Sequence, residues 1–214
     1  MNKKLFWEIL DRGRKEILSN LSITLGRGYY LAGGTALALQ IGHRESLDFD
    51  VFCDKEITLS IKTKIFKAFS GLNPKTLVDT SDELTVVVKK DIKITILYYY
   101  WPPLFPLVKT NLAMPLLSIK DIAATKAYAL GRRGNFRDYF DLYVLVKSKY
   151  FSLRDIIAWC KKKYGDVFSE RMFLEQLTYC GDLGKDINLK YLGAKYASPK
   201  QIVDFFAKEI KKIK

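Results

Sequence analysis

Histidine is nearly missing from this chain: His43 is the only one in 214 residues. A zinc site or a histidine-based triad needs more than that, so neither is expected. Cysteine is scarce as well. Cys53, Cys160 and Cys180 are an odd number, widely spaced and without a C-x-x-C pair, which predicts reduced and mostly buried thiols. Long apolar runs are also lacking. The longest stretches, ITILYYYW (94–101) and YFDLYVLV (139–146), are far too short to span a bilayer, so no membrane partner is expected. The first residues, MNKKLFWEILDRG, meet an acid by position 8 and carry no long apolar segment with a small-residue cleavage site. That points to a cytoplasmic protein rather than a secreted one. Acid itself is in deficit: 36 Lys and Arg face 23 Asp and Glu, a formal charge of +13. A soluble protein so basic often meets a polyanion, and nucleic acid is the usual one, although lysine-rich composition alone would give the same balance.

What is present reads as two regions. Half of the chain is hydrophobic, enough for a real core. In the first region the periodicity predicts a helix over 3–18, a short strand over 29–32 running into Gly33-Gly34, and a helix over 35–41. A strand follows over 47–53, then a helix over 58–71 ending at Gly71. KTLVDT, ELTVVVKK and IKITILYYY read as consecutive strands, with Lys89-Lys90-Asp91 turning between the last two. From Ser118 onward the pattern is helical, over 119–131, 136–148, 153–164, 168–179 and 199–212. Gly131, Gly134, Gly165, Gly181 and Gly184 fall near the breaks. SIKD resembles a capping box, with Ser118 as N-cap and Asp121 three residues on. The segment WPPLFPLVKTNLAMP (101–115) holds four of the six prolines and is the favoured boundary. The expected fold class is therefore α+β: a small mixed sheet with flanking helices over 1–110, then a helical bundle over 111–214.

One stretch carries chemistry, LAGGTALALQIGHRESLDFDVF (31–52). After a strand and before a helix, Gly33 and Gly34 let the backbone turn tightly and approach a ligand. The helix start at Thr35 then offers free N–H groups to a phosphate. A bare strand-to-helix turn would look the same, and the Lys-Ser/Thr of a P-loop is absent. Asp48 and Asp50, two apart on a strand, would share one face, with Phe49 turned into the core alongside Leu47 and Val51. Two neighbouring carboxylates repel unless a cation joins them, and Mg²⁺ takes one or two carboxylates plus substrate phosphates. A solvated edge strand with two polar positions is the plainer alternative.

The combination of glycine turn, helix, short loop and D-x-D resembles the polymerase-β-type nucleotidyltransferase superfamily. LAGGTALAL, HRESLDFDVF, SIKDIAATKAYAL and RRGNFRDYFDLYVL, in that order across residues 31–146, resemble more closely its AbiEii/AbiGii toxin group. These are the toxins of type IV toxin–antitoxin and phage-abortive systems, related to the MenT toxins. The resemblance implies an enzyme that moves an NMP from an NTP to an acceptor hydroxyl. It implies Mg²⁺, or Mn²⁺ in its place, and a cognate antitoxin. Gly33, Gly34 and Thr35 would cradle phosphates, and Asp48 and Asp50 would hold the metal. Arg44 and Ser46, in the loop before the D-x-D, would serve phosphate or metal-bound water. His43 beside them reads as a loop residue.

Two later residue groups make physical sense unaided. Lys126 falls within the apolar stripe Ile119, Ile122, Ala123 and Leu130. A lysine there is costly to bury unless it reaches an anion, although snorkelling at the stripe's edge would also serve. Asp138 and Asp141 share a helical face, where Arg137 could pair with Asp141 and Arg133 lies on the same side. The resemblance assigns Lys126 to the nucleotide phosphates and an aspartate of this motif, Asp141 or Asp138, to the active site.

There is one departure. The superfamily often carries a third carboxylate on a later strand beside the D-x-D. The expected place is near Thr95, which is not acidic, and Asp91 lies only at the start of that strand. By resemblance to the MenT-like toxins, the acceptor would be the 3′ end of tRNA, or another RNA, which suits the charge. Transfer to a protein or small-molecule hydroxyl is the first alternative. A catalytically silent nucleotide- or RNA-binding module is the second.

Overall fold

The architecture was read from a computed structural model that describes residues 4–89, 91–111, 114–132, 135–179, 181 and 189–213. Lys90, Arg133, Gly134, Cys180 and Gly184, named above, lie outside these. The chain divides into two compact units, Met1–Ser118 and Ile119–Lys214.

The first unit is built on a five-stranded mixed sheet. Its strands are β1 (Tyr29–Leu31), β2 (Phe49–Cys53), β3 (Lys75–Asp79), β4 (Glu83–Val88) and β5 (Ile92–Tyr98), in the order β1-β2-β5-β4-β3. Only the β2–β5 pairing is parallel. The helices of this unit are α1 (Arg12–Leu25), α2 (Gly33–Ile41) and α3 (Leu59–Ala68). Strand alternation sorts the sheet into two faces. Phe49, Val51, Leu84, Val86, Ile94 and Ile96 are buried on one face. Asp50, Thr95, Thr85 and Glu83 point to the other, because successive side chains alternate.

The helix expected over 3–18 is corrected. Trp7–Ile9 forms a short 3-10 turn, and α1 begins only at Arg12. Asp11 caps it by accepting the Arg14 N–H at 2.8 Å, which relieves an otherwise unbonded amide. The helix continues past Ser19 and Asn20 because Ile17, Leu18, Leu21 and Leu25 form one buried face. Likewise α3 stops at Ala68, and Ser70–Leu72 tightens into a 3-10 turn. Leu47 was expected in the core. It is 40% exposed, because β2 starts at Phe49 and the alternation does not reach back to it. Lys89 turns the chain between β4 and β5 with φ at 52°.

The proline-rich segment folds back onto β1 through Leu116, which bridges both Leu31 and Val108. Leu31 N–H donates to Pro115 O at 2.9 Å, and Leu117 N–H donates to Leu31 O at 2.8 Å. These backbone bonds tie residues up to Leu117 to the sheet, and the division between the units follows at Ser118.

The second unit contains α4 (Ile119–Leu130), α5 (Phe136–Lys147), α6 (Leu153–Tyr164), α7 (Glu170–Leu177) and α8 (Pro199–Lys211). α4 packs on α5, α6 and α7, and α8 on α5 and α7. Each of the last four starts at a polar cap: Asn135, Ser152, Ser169 and Ser198. Ser152 with Asp155, and Ser198 with Gln201, bond reciprocally, satisfying two orphan amides at each helix start. Ile122, Leu130, Phe140, Leu145, Ile156 and Phe206 are among the side chains that fill this unit's core.

Candidate active site

The glycine turn and the aspartates of the first unit meet directly. Leu31 pairs with Val51 across β1 and β2, and the Ala32 N–H donates to Asp50 O at 2.7 Å. Gly33 follows with φ at +61°, a left-handed conformation that disfavours any Cβ. A methyl group there would also collide with the Asp50 carboxylate, meeting its Cγ at 2.9 Å and its Oδ2 closer still. Gly33 is therefore glycine for two independent reasons, and its backbone lies against a carboxylate oxygen of Asp50. Gly34 is constrained by space alone. A Cβ there would sit 2.8 Å from Arg44 Nη2 and 2.8 Å from Ser46 Oγ. Ala32, the N-cap of α2, offers no side-chain bond to the first amides of that helix.

Thr35 does something its motif alone does not reveal. Its side chain is fully buried, and its hydroxyl reaches the backbone oxygen of Asp48 and, at 3.0 Å, Ser46 Oγ. It thus ties the glycine turn to the loop that delivers Asp48. Arg44 is also buried, and its Nη1 donates to Glu45 O at 2.9 Å, so the guanidinium shapes the same loop. His43 is buried beside it. Asp48 itself precedes the strand, and its Oδ1 accepts the Lys93 N–H at 3.2 Å. Asp50 lies within β2, half-buried.

The register fixes the third-acid position. Asp50 is directly opposite Thr95 on the parallel neighbour β5, so the residue beside the pair is a hydroxyl and not a carboxylate. Asp91, 72% exposed, lies near Arg14 instead. Among the described residues no three or more His, Cys, Asp or Glu side chains gather as a metal cage. Two hard-oxygen donors against a side-chain-free glycine backbone do fit Mg²⁺ or Mn²⁺, whose remaining positions would be filled by phosphate oxygens and water.

In the second unit Lys126 is buried and lies between two acids. Its Nζ is 2.7 Å from Asp138 Oδ1 and 2.7 Å from Asp141 Oδ2. The structure brings these three residues together, and the anion that makes the burial tolerable comes from α5. A second buried pair was not foreseen. Lys163 Nζ donates to Asp121 Oδ1 at 2.9 Å, both side chains being almost wholly inaccessible. By sequence Asp121 stands out only as a cap partner of Ser118. The signal available was Lys163 on the same helical face as Ile156 and Cys160. Cys53 and Cys160 are free and buried, as expected, and burial pushes both thiols above their ordinary range.

A cavity of about 1050 Å³ opens at the opposite end of the strands, lined by Tyr29, Tyr98, Tyr99, Tyr100, Arg27 and Lys109. Tyr29 pairs with Cys53 and Cys53 with Tyr98, so this end is the one remote from Gly33 and Asp48. This cavity and the first unit's aspartates are thus separate features.

A glycine turn abutting a strand carboxylate, on a mixed sheet with the D-x-D at the strand's start, defines a nucleotidyltransferase fold. The chain belongs to the AbiEii nucleotidyl transferase toxin family of type IV toxin–antitoxin systems, whose profile matches residues 17–189. It is 30% identical over 181 residues to the uncharacterised protein aq_aa25 of Aquifex aeolicus, covering 83% of this chain and 86% of that one. Its fold is similar to that of MenT4, the nucleotidyltransferase toxin Rv2826c of Mycobacterium tuberculosis. The TM-score is 0.61 at 16% identity, over 92% of this chain and 82% of that one. JHP933 of Helicobacter pylori superposes with a TM-score of 0.50 at 20% identity, over 95% and 96% of the two chains.

Proposed function

We propose that this toxin-family nucleotidyltransferase moves an NMP from an NTP to the 3′-terminal hydroxyl of tRNA or a related RNA, halting translation until a cognate antitoxin intervenes. The observation that carries the proposal is the packing of Asp50 against Gly33, which leaves no room for any side chain between carboxylate and turn. Asp48 and Asp50 would hold Mg²⁺, or Mn²⁺, with the triphosphate; the ion would neutralise charge on the phosphates and lower the pKa of the acceptor hydroxyl. The backbone of Gly33 and Gly34 admits the phosphates at the start of α2, where amide dipoles favour an anion. Thr35, Arg44 and Ser46 position that turn and the Asp48 loop. The second unit's contribution is proposed on the resemblance: Lys126 as the cation for the nucleotide phosphates, with Asp138 and Asp141 fixing its ammonium. The +13 charge favours a polyanionic acceptor over a cationic small molecule such as an aminoglycoside. No helix among the described residues is long and apolar enough to cross a membrane, and the cytoplasm, where tRNA resides, is the proposed location.

The test is direct. The protein is incubated with each labelled NTP, Mg²⁺ and total tRNA, beside Asp48→Ala/Asp50→Ala. Label on tRNA that vanishes in the double variant is expected. Label on protein alone would move the acceptor. NTP binding without transfer to tRNA, protein or an aminoglycoside would mean a silent binding module. Growth arrest on expression, lost in the same variant, is the companion readout.

A further inference from the structure

An acceptor hydroxyl that attacks phosphorus must lose its proton, and the carboxylate expected beside Asp50 is replaced by Thr95. On the same sheet face, Thr95 stands opposite Thr85 of β4 in the antiparallel register, with the two hydroxyl oxygens 3.1 Å apart. Thr85 Oγ1 lies 2.6 Å from Glu83 Oε1. A hydroxyl has one proton to give, and an ionised carboxylate can only accept. Thr85 therefore donates to Glu83, and Thr95 must be the donor to Thr85. Both hydroxyl protons point away from Asp50 and toward Glu83. That leaves the lone pairs of Thr95 Oγ1 on the side of the Asp50 strand, roughly 5 Å away across a parallel sheet. Glu83 is itself fixed by the β3–β4 turn. Its N–H donates to Thr80 Oγ1 at 2.9 Å, and its backbone oxygen accepts the Thr80 N–H at 2.9 Å. Thr85 is buried, so solvent does not readily break the row.

We propose that Thr95, Thr85 and Glu83 form a proton relay that replaces the missing third acid, an inference that rests on the nucleotidyl-transfer reading. As the acceptor oxygen bonds to the α-phosphorus, its proton passes to Thr95 Oγ1. The Thr95 proton passes to Thr85, and the Thr85 proton to Glu83, which ends neutral. The bond from α-phosphorus to the bridging oxygen breaks, and pyrophosphate leaves with its electrons. Both threonines end the step as neutral hydroxyls. Alternation in ELTVVV and IKITIL already places Glu83, Thr85 and Thr95 on the polar face; only the register shows that they form one row ending at Asp50.

The experiment compares wild type with Thr95→Val, Thr85→Val, Glu83→Gln and the hydroxyl-keeping Thr95→Ser. NTP binding and thermal unfolding are measured alongside steady-state transfer in H₂O and D₂O. Valine preserves shape and removes the proton path. The relay predicts a kcat about 10²-fold lower in Thr95→Val and Glu83→Gln, a typical loss for general-base catalysis. KM for NTP and nucleotide affinity stay within about twofold, because nothing that binds phosphate has changed. Thr95→Ser recovers most of the rate. The wild-type rate curves downward with deuterium fraction, as for several protons in flight, and the Thr95→Val rate becomes linear. A Thr95→Val enzyme with wild-type kcat and an unchanged isotope profile overturns the relay while leaving nucleotidyl transfer standing. A wild-type protein that binds NTP and transfers to no acceptor overturns both.

Discussion

The two units treat their aspartates in opposite ways. In the helical unit, Asp138 and Asp141 meet Lys126, and Asp121 meets Lys163, all of them buried. In the sheet unit, Asp48 leans on a backbone amide of β5 and Asp50 on the glycine turn, both half-buried at the start of a strand. The first arrangement brings its own cation and is suited to holding helices in register. The second puts two like-charged residues, two apart in sequence, at the start of one strand, with a chain bend of glycines where another residue would put a side chain. Like charges so arranged favour a cation and an anionic ligand from outside. The difference separates acids joined by a buried lysine, including the Lys126 group proposed above for the nucleotide phosphates, from acids set against a strand amide and a glycine turn.

That contrast can be broken by substitution. Asp48→Asn with Asp50→Asn keeps both shapes and removes both charges. Transfer should fall at least about 10³-fold, since metal-assisted charge stabilisation is worth several kcal/mol, while the melting temperature moves little. The same loss of charge in the helical unit should act on folding as well as on transfer, because Lys126 is also the proposed cation for the phosphates. Lys126→Met leaves two buried carboxylates without their shared ammonium and should cost about 3–5 kcal/mol in urea unfolding. Asp138→Asn should cost less, because Asp141 still pairs with the lysine. Gly33→Ala tests how the first unit seats its acid. The strained φ and the collision with Asp50 should cost about 1–3 kcal/mol of stability, together with a loss of nucleotide affinity measured by titration.

The smallest effect expected is at the start of α6. Ser152→Ala should cost about 1 kcal/mol. The Ser152 hydroxyl and N–H hold Asp155 below the usual carboxylate range. A depressed carboxyl stabilises the fold above its unfolded pKa and ceases to do so as pH falls through its folded one. The acid limb of the wild-type stability profile should therefore steepen there, and flatten in Ser152→Ala.

Local pattern explains much of what the sequence disclosed. Among the described helices of the second unit, α5 to α8 each begin at a serine or asparagine cap, a signal that lies within a few residues of the helix it starts. The strands showed through alternation, as in IKITIL. What stayed hidden depended on pairing at a distance. The burial of Lys163 against Asp121 joins residues 42 apart in sequence. The exposure of Leu47 followed from where β2 begins, which its β1 and β5 partners set. Thr35 looks like a phosphate ligand by motif, and the structure adds that its hydroxyl is bound to the Asp48 loop. The motif identified the neighbourhood; the hydrogen bonds showed which members of it hold the others in place.

One measurement bears most directly on the central claim, that the half-buried acid pair serves nucleotidyl transfer to an RNA 3′ hydroxyl. Intact tRNA and periodate-oxidised tRNA, which lacks the terminal diol, are each incubated with protein, Mg²⁺ and one NTP at a time, and the RNA is weighed by mass spectrometry. The account predicts a gain equal to one or more NMP units on intact tRNA. No gain is expected on oxidised tRNA, or with the Asp48→Asn/Asp50→Asn protein. An unchanged RNA mass with every NTP, or an equal gain on oxidised tRNA, would contradict it.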